Sequence, residues 1–221
     1  MEPLLDLWNY ISQRYAELLG LLWRHLELVG LATLAATLIG VGLGILITRP
    51  RFKWLGQSVM AVCNVGQTVP SLAVVALMLP LLGIGFMPGL FAIFIYILLP
   101  ITRNTYVGIR GVDPALIEAA RGMGMSAWQI LIRLEVPLAS YIILAGIRTS
   151  MVIAVGVATL ATFIGAGGLG DLIDRGISLV NTTYILAGAI PAALLAITIE
   201  IGLGRLERLI TPRGLRVRRE V

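Results

Sequence analysis

The sequence predicts an all-α polytopic membrane protein with about five transmembrane helices. Of its 221 residues, 58% are hydrophobic and only 13% are charged, whereas about a quarter of the residues of an ordinary soluble domain are charged. Several apolar stretches of roughly twenty residues are long enough to cross the hydrocarbon core of a bilayer. Because Cys63 is the single cysteine, an internal disulfide framework is excluded. The apolar composition and the length of these stretches predict the lipid bilayer as the first partner of the chain.

Residues 1–25 form the first predicted unit, an amphipathic helix. Apolar residues such as Leu5, Trp8, Ile11 and Tyr15 recur at steps of three and four, with polar residues between them. This pattern fits a helix that lies in the membrane interface, or a cap that packs on the other helices. The first residues lack the positive segment and cleavage site of a signal peptide, so we expect them in the mature chain.

Five apolar segments predict five membrane spans within a transmembrane unit at 26–208. They are 28–48, 54–82, 86–102, 137–162 and 184–204. The second segment would be roughly 43 Å long as a straight helix, more than a bilayer needs, so it must tilt or break. Pro70 predicts a break, because proline lacks a backbone donor and disfavours helix at the preceding residue.

Polar residues beside this break predict a translocation pathway. Asn64, Gln67 and Thr68 precede Pro70, and interrupted polar helices in membranes usually line a cavity. Arg148 is a further candidate because it lies well inside the predicted fourth span. Glu200 lies inside the fifth, so pairing between these two residues, or reach toward the cytoplasmic interface, remains an alternative to substrate contact.

Basic residues predict the orientation of the spans. Most of the 17 Lys and Arg residues fall into three clusters, which mark the cytoplasmic side. The clusters are Arg49, Arg51 and Lys53; Arg103, Arg110, Arg121 and Arg133; and Arg205, Arg208, Arg213, Arg216, Arg218 and Arg219. Two spans between successive clusters place the N-terminus outside and the C-terminus inside, with a basic cytoplasmic tail at 209–221.

Residues 103–136 are then a cytoplasmic excursion, which predicts two short helices. Asp113 is suited to cap the first, and Pro114 suits its first helical position. Ser126 is suited to cap the second, after two glycines that allow the first helix to stop. A short capped helix at 113–126 with exposed charge fits docking into another protein, although a plain surface helix is the alternative.

The stretch "EAARGMGMSAWQILIRLEVP", residues 118–137, resembles the cytoplasmic EAA signature of permease subunits in ABC importers. The matching positions are Glu118, Ala119, Ala120, Gly124 and Pro137. Leu134 and Val136 stand where the family more often has Ile and Leu. The resemblance implies a type I ABC importer permease fold (MetI-like), in which this helix, including Arg121, docks into a groove on an ATPase subunit.

Three longer stretches extend the resemblance to permeases of osmoprotectant importers, which move glycine betaine, choline or carnitine. They are "GQTVPSLA", "LLPITRNTYVGIRGVDPALIEAARGMGMS" and "ATLATFIGAGGLGDLIDRGI". The resemblance implies a second permease copy or paralogue, an extracytoplasmic substrate-binding protein, and a bacterial or archaeal cytoplasmic (inner) membrane. Permeases for methionine and other amino acids are built alike, so the solute stays open.

The stretch "GAGGLG", residues 165–170, formally matches the dinucleotide fingerprint G-x-G-x-x-G. That fingerprint needs a preceding strand, whereas this one follows an apolar helical span, so we exclude a nucleotide site. The glycines instead predict a close turn at the outer mouth. We predict an outer gate or binding-protein contact from five residues there. They are Gly165, Gly167, Gly168, Gly170 and Asp171.

The chain predicts no catalytic chemistry of its own. Its only lysine is Lys53 and no P-loop motif occurs, so ATP and Mg would be bound by a partner ATPase and this chain needs no cofactor. The sole histidine, His25, has no Cys/His cluster around it, which predicts no metal site. No nucleic-acid partner is expected. A channel or secondary transporter is the alternative, but it would not need the signature helix.

Overall fold

The computed structural model describes residues 2–210, which fold into helices and contain no β-strand. The α-helices are α1 Glu2–Leu46, α2 Lys53–Gly66, α3 Ser71–Leu82, α4 Phe86–Arg110, α5 Pro114–Gly122, α6 Ala127–Ile130, α7 Val136–Leu160, α8 Gly170–Ser178 and α9 Thr182–Ile210. Two 3-10 turns lie at Pro50–Phe52 and Ala161–Ile164, and a π-helical turn lies at Leu131–Glu135. From residue 211 onward, the predicted basic tail lies outside the described residues.

Long apolar helices confirm the predicted all-α polytopic class. Four segments are long and apolar enough to cross a membrane, namely Leu5–Leu46, Phe86–Arg110, Ala127–Ile164 and Thr182–Leu209. A fifth span results if α2 and α3 count as one, because the two pass the same test together. The described part of the chain therefore holds four spans, or five with this bent pair.

The predicted break at Pro70 is confirmed. Helices α2 and α3 meet at an angle of 102°, and Pro70 itself has extended torsion angles, φ −57° and ψ 133°. The backbone N–H and the side-chain amide of Gln67 both donate to the carbonyl of Cys63, at 3.2 and 3.1 Å, where α2 ends. The polar residues at 64–71 therefore surround a sharp bend.

The first helix is longer than predicted. We expected an amphipathic helix at 1–25 followed by a span from 28, but α1 extends from Glu2 to Leu46 with a kink at Arg14, where the torsion angles are non-helical, and continues through residues 25–28. No proline interrupts residues 4–46, so the backbone hydrogen bonds continue past residue 25. The boundary between the two predicted units is therefore not a break in the helix.

The helix of the third span extends beyond residue 102, where the apolar segment predicted from the sequence ends. Helix α4 continues to Arg110, although its last eight residues are more polar than the rest. The side chains of Asn104 and Thr105 donate to carbonyls one turn back, at 2.8 and 2.9 Å, so their polarity is satisfied within the helix. Thr105 and Ile109 are also buried, which shows that packing against neighbouring helices carries α4 further.

The helix that contains the predicted fourth span begins before Pro137. Helix α6 continues through the π-helical turn Leu131–Glu135 directly into α7. Proline cannot donate the usual backbone hydrogen bond, and the π-turn that precedes Pro137 is a single-turn bulge of the kind found inside otherwise continuous helices. The second helix of the signature is therefore one continuous rod with the span.

Helix α4 lies between α1 and α7 at the centre of the bundle. Small residues allow the helices to approach closely, as is usual in membranes. A Cβ added to Gly44 of α1 would lie 2.6 Å from the Cβ of Thr105, and one added to Gly146 of α7 would lie 2.5 Å from the Cβ of Asn104. Both glycines therefore set the spacing between α4 and its neighbours.

The first half of α1 packs against α8 and α9. Leu7 is buried in a cluster with Leu172 of α8 and Ala187 of α9, and Glu17 accepts a hydrogen bond from Arg175 of α8 at 3.1 Å. This arrangement matches the alternative in which the N-terminal segment caps other helices of the protein.

Candidate coupling surface and translocation site

The signature region begins with two short helices whose ends are fixed by capping. The carboxylate of Asp113 accepts from the backbone N–H of Ala115 at 2.8 Å, with Pro114 in the first turn. Ser126 and Gln129 exchange side-chain and backbone hydrogen bonds in a capping box at the start of α6. Both predicted caps are confirmed. The α5–α6 unit is therefore defined locally, without support from a large core.

Most of the predicted coupling residues are exposed. Glu118, Ala119, Arg121 and Gly124 are exposed, whereas Ala120 is buried. Gly124 has φ +82°, a conformation that lets the chain turn after α5 at little cost for glycine.

Pro137 is not part of this exposed surface. It lies half-buried in the first turn of α7, beyond the π-turn. The signature therefore combines an exposed helix with a structural proline two elements away.

Two large apolar side chains of the α5–α6 unit were not predicted as site residues. Met123 is 76% exposed and Trp128 is 67% exposed. Exposed Met and Trp are typical of protein interfaces, so they add an apolar component to the charged surface. Their position inside the signature is the sequence feature that could have identified them. We call Glu118, Arg121, Met123 and Trp128 the coupling surface.

A cavity of about 290 Å³ lies between α5 and the adjacent ends of α1 and α4. Its lining residues are Thr48, Arg49, Pro50, Ile109, Arg110, Val112, Pro114, Ile117, Glu118, Arg121 and Glu135. Charged side chains dominate its polar wall, and Arg49 pairs there with Glu135 at 2.6 Å. A cavity with charged and apolar walls therefore lies between α5 and these ends of the bundle helices.

The predicted pathway residues on α2 lie together at the bend. Asn64, Thr68 and Pro70 are exposed and Gln67 is half-buried. The Thr68 hydroxyl donates to the carbonyl of Val65 at 2.7 Å. In the described part of the chain the Asn64 side chain makes no hydrogen bond. This polar bend is uncovered in the single subunit and is available to line a pathway.

Arg148, the remaining pathway candidate, is engaged by α9. Its Nε lies 3.5 Å from Oε1 of Glu200 and its Nη1 lies 3.1 Å from Oε2 of Glu207. Its side chain is 23% exposed. The pairing with Glu200 that the sequence left open is therefore present, while a role for Arg148 in translocation stays a prediction.

The close turn predicted at residues 165–170 is confirmed. Positive φ angles occur at Gly165, Gly167 and Gly168, with values of 75°, 84° and 101°. Residues with a side chain rarely adopt such angles. A residue distant in sequence also contacts the turn: the backbone N–H of Gly85 donates to the carbonyl of Ile164 at 2.7 Å. These contacts place the turn against the start of α4.

Helix α8 begins directly after this turn. A Cβ added to Gly170 would lie 2.3 Å from the carbonyl oxygen of Thr159, so a larger residue has no room there. Asp171 accepts a hydrogen bond from the Thr162 hydroxyl. His25, which the sequence gave no role, is fully buried beside this turn. The gate function of these residues stays a prediction.

The comparison with family models decides the class. A family described as "Binding-protein-dependent transport system inner membrane component" matches residues 40–215. The chain belongs to this family. Members of the binding-protein-dependent transport family are multi-pass inner membrane permeases, and the match includes the bend at Pro70, the coupling surface and the glycine turn at 165–170.

Curated relatives match this permease over nearly its whole length. The carnitine transport permease protein OpuCB of Listeria monocytogenes is 48% identical, with 96% of each chain covered. The glycine betaine/carnitine/choline transport system permease protein OpuCB of Bacillus subtilis (strain 168) is 44% identical, over 96% of this chain and 97% of its own. The osmoprotectant import permease protein OsmW of Salmonella typhimurium is 43% identical, over 96% and 100%.

Solved structures of permeases share the fold. A chain of the MetNI methionine ABC transporter in an inward-facing conformation superposes with a TM-score of 0.80 at 22% identity, covering 88% of this chain and 96% of its own. An amino acid ABC transporter chain gives a TM-score of 0.72 at 22% identity, with 90% and 97% covered. The MetI-like permease fold predicted from the signature is therefore confirmed.

Proposed function

We propose that this protein is the transmembrane permease subunit of an ATP-driven ABC importer for an osmoprotectant such as glycine betaine, choline or carnitine. The observation that carries the solute class is the similarity to carnitine, glycine betaine and choline permeases, at 42% to 48% identity over 96% of the chain. A full-length match of this kind includes the pathway and the coupling surface together.

ATP hydrolysis belongs to a separate ATPase subunit, which binds ATP and Mg. The α5–α6 unit supports this assignment, because it is a rigidly capped helix pair that presents charge and apolar surface outside the bundle. In this proposal Glu118, Ala119, Arg121 and Gly124 contact the ATPase. Ala120 is buried in the same helix, and Pro137 keeps the π-turn at the entry to α7.

A second permease copy or paralogue completes the pathway. The polar bend with Asn64, Gln67, Thr68 and Pro70 is uncovered in one subunit, and exposed polar groups in a membrane segment require a polar partner or a water-filled cavity. Differently named permeases of Listeria monocytogenes, OpuCB and OpuCD, match at 48% and 43% identity. Their similarity to one chain supports a paralogue as readily as a second copy.

The chain is oriented with its N-terminus outside and its C-terminus inside. The support is the clustering of Lys and Arg residues on one side of the spans. In this orientation the glycine turn at 165–170 and α8 face the external binding protein, and the coupling surface faces the cytoplasm. Gly165, Gly167, Gly168, Gly170 and Asp171 then form the outer gate.

Reconstitution in proteoliposomes tests the function. The permease would be combined with its ATPase and binding protein, and uptake of labelled glycine betaine, choline, carnitine and methionine would be followed with and without ATP. We expect ATP-dependent uptake of at least one quaternary amine. Uptake of methionine alone would contradict the solute class, and equal uptake without ATP would indicate a channel or secondary transporter.

A further inference from the structure

An ion pair joins two distant parts of the chain beside the coupling helix. Nη2 of Arg49 lies 2.6 Å from Oε2 of Glu135, and the two residues are 86 positions apart in sequence. The Glu135 side chain is only 9% exposed and that of Arg49 is 27% exposed. Arg49 also donates to the Thr48 hydroxyl. A short charge-assisted hydrogen bond with such burial is a firm connection.

Glu135 lies where the signature region joins the long helix α7. It is the last residue of the π-helical turn Leu131–Glu135, which connects α6 to α7. Within the signature it stands between Leu134 and Val136. A π-turn interrupts the regular hydrogen-bond ladder of a helix and often marks a functional site. Motion of the α5–α6 unit must pass through this turn to reach α7.

Arg49 lies at the opposite side of the connection, three residues after α1 ends at Leu46. Both partners line the cavity of about 290 Å³ that also includes Glu118 and Arg121 of α5. Because this space separates α5 from the end of α1, a movement of α5 reaches α1 poorly by direct packing. The ion pair between Arg49 and Glu135 instead connects the π-turn to the end of α1 at the wall of the cavity.

We propose that Arg49 and Glu135 are positioning residues that carry the displacement of the α5–α6 unit to α1. The inference rests on the proposed function, since it assigns the coupling path of the importer. With the pair intact, the π-turn and the end of α1 move together, so α1 and α7 reorient as one body. Neutralising either partner leaves the other charge partly buried and loosens this connection.

The test is the ratio of solute uptake to ATP hydrolysis in proteoliposomes that contain the complete importer. Arg49→Gln and Glu135→Gln are expected to lower this ratio by about fivefold or more, the size of a typical coupling between sites, while ATPase association stays at the wild-type level. Arg110→Gln is the matched control, because Arg110 lines the same cavity but forms no ion pair in the described part of the chain. Its ratio is expected to equal that of the wild type.

Arg49→Lys keeps the test decisive if the neutral variants do not assemble, because it retains the charge. It is expected to hold the ratio within about twofold of the wild type, well above either glutamine variant. The proposal is overturned if uptake and hydrolysis fall in parallel in the glutamine variants, or if Arg110→Gln lowers the ratio equally. Failure of the wild-type complex to show ATP-driven uptake would instead overturn the proposed function.

Discussion

Arg148 of α7 lies 3.1 Å from Glu207 of α9. Gly204 makes room for this contact, because a Cβ there would lie 3.0 Å from Nη1 of Arg148. Glu207 is buried, with a side chain 9% exposed, and Glu200 adds a second, more exposed contact at 3.5 Å. Charges inside membrane segments are costly unless paired, so this group fixes how α9 packs on α7.

Removal of Arg148 therefore should destabilise the protein. Arg148→Met is expected to lower the free energy of unfolding by about 1–3 kcal/mol, because a buried carboxylate loses a charged donor. Arg175→Met is the matched control, since Arg175 pairs with Glu17 while 52% exposed, and exposed pairs contribute about 1 kcal/mol or less. Denaturant titration in mixed micelles compares the two variants, and equal losses would contradict a structural role for the buried group.

Substitution of two neighbouring glycines of α1 is expected to change the stability of the protein in opposite directions. Gly44→Ala should destabilise the bundle by about 1–3 kcal/mol, because its Cβ would overlap Thr105 of α4. Gly42→Ala meets no atom within 4 Å and should stabilise the helix by about 0.5–1 kcal/mol. Thermal unfolding of both variants in detergent checks this. A shift in the same direction for both would show that α1 does not approach α4 closely.

The coupling surface predicts a loss of ATPase docking without a loss of folding. Glu118→Arg reverses an exposed charge that has no ion pair within the described residues, so we expect normal membrane insertion. Recovery of the ATPase with the permease should fall at least about tenfold, as for a loss of roughly 1.4 kcal/mol or more in binding. Asp174→Arg makes the same change on α8 and should leave recovery unchanged. Wild-type recovery with Glu118→Arg would remove this residue from the interface.

The bend at Pro70 predicts a separate effect on translocation. Gln67→Leu removes the side-chain amide that closes the end of α2 on Cys63, and it makes the bend less polar. Uptake should fall while ATPase association stays unchanged. Gln57→Leu is the control, because it makes the same substitution at an exposed position earlier in α2. If both variants transport equally, the bend serves packing alone.

Local chemistry made several elements predictable from the sequence. Asp113 and Ser126 cap helices through bonds to residues two or three positions away, and Pro70 acts on its own backbone. Such interactions depend on neighbouring residues only. The signature helix could be predicted for the same reason. The spans could also be predicted, because each is a continuous apolar stretch of sequence.

Contacts between distant residues account for the elements that the sequence did not reveal. The last turns of α4 look polar, and only burial of Thr105 and Ile109 against other helices explains why they remain helical. The π-turn before α7 and the bond from Arg49 to Glu135 likewise depend on how α1 and α7 meet. The hydropathy pattern along the chain does not predict how α1 and α7 contact each other.

In the proposed importer, the α5–α6 unit couples this permease to an ATPase. The most direct measurement is gentle isolation of the protein from its native membrane, followed by identification of associated proteins and assay of ATP hydrolysis with and without glycine betaine and the binding protein. We predict an associated ATPase whose hydrolysis is stimulated by the loaded binding protein. Absence of any ATPase, in a preparation that preserves other membrane complexes, would contradict the account.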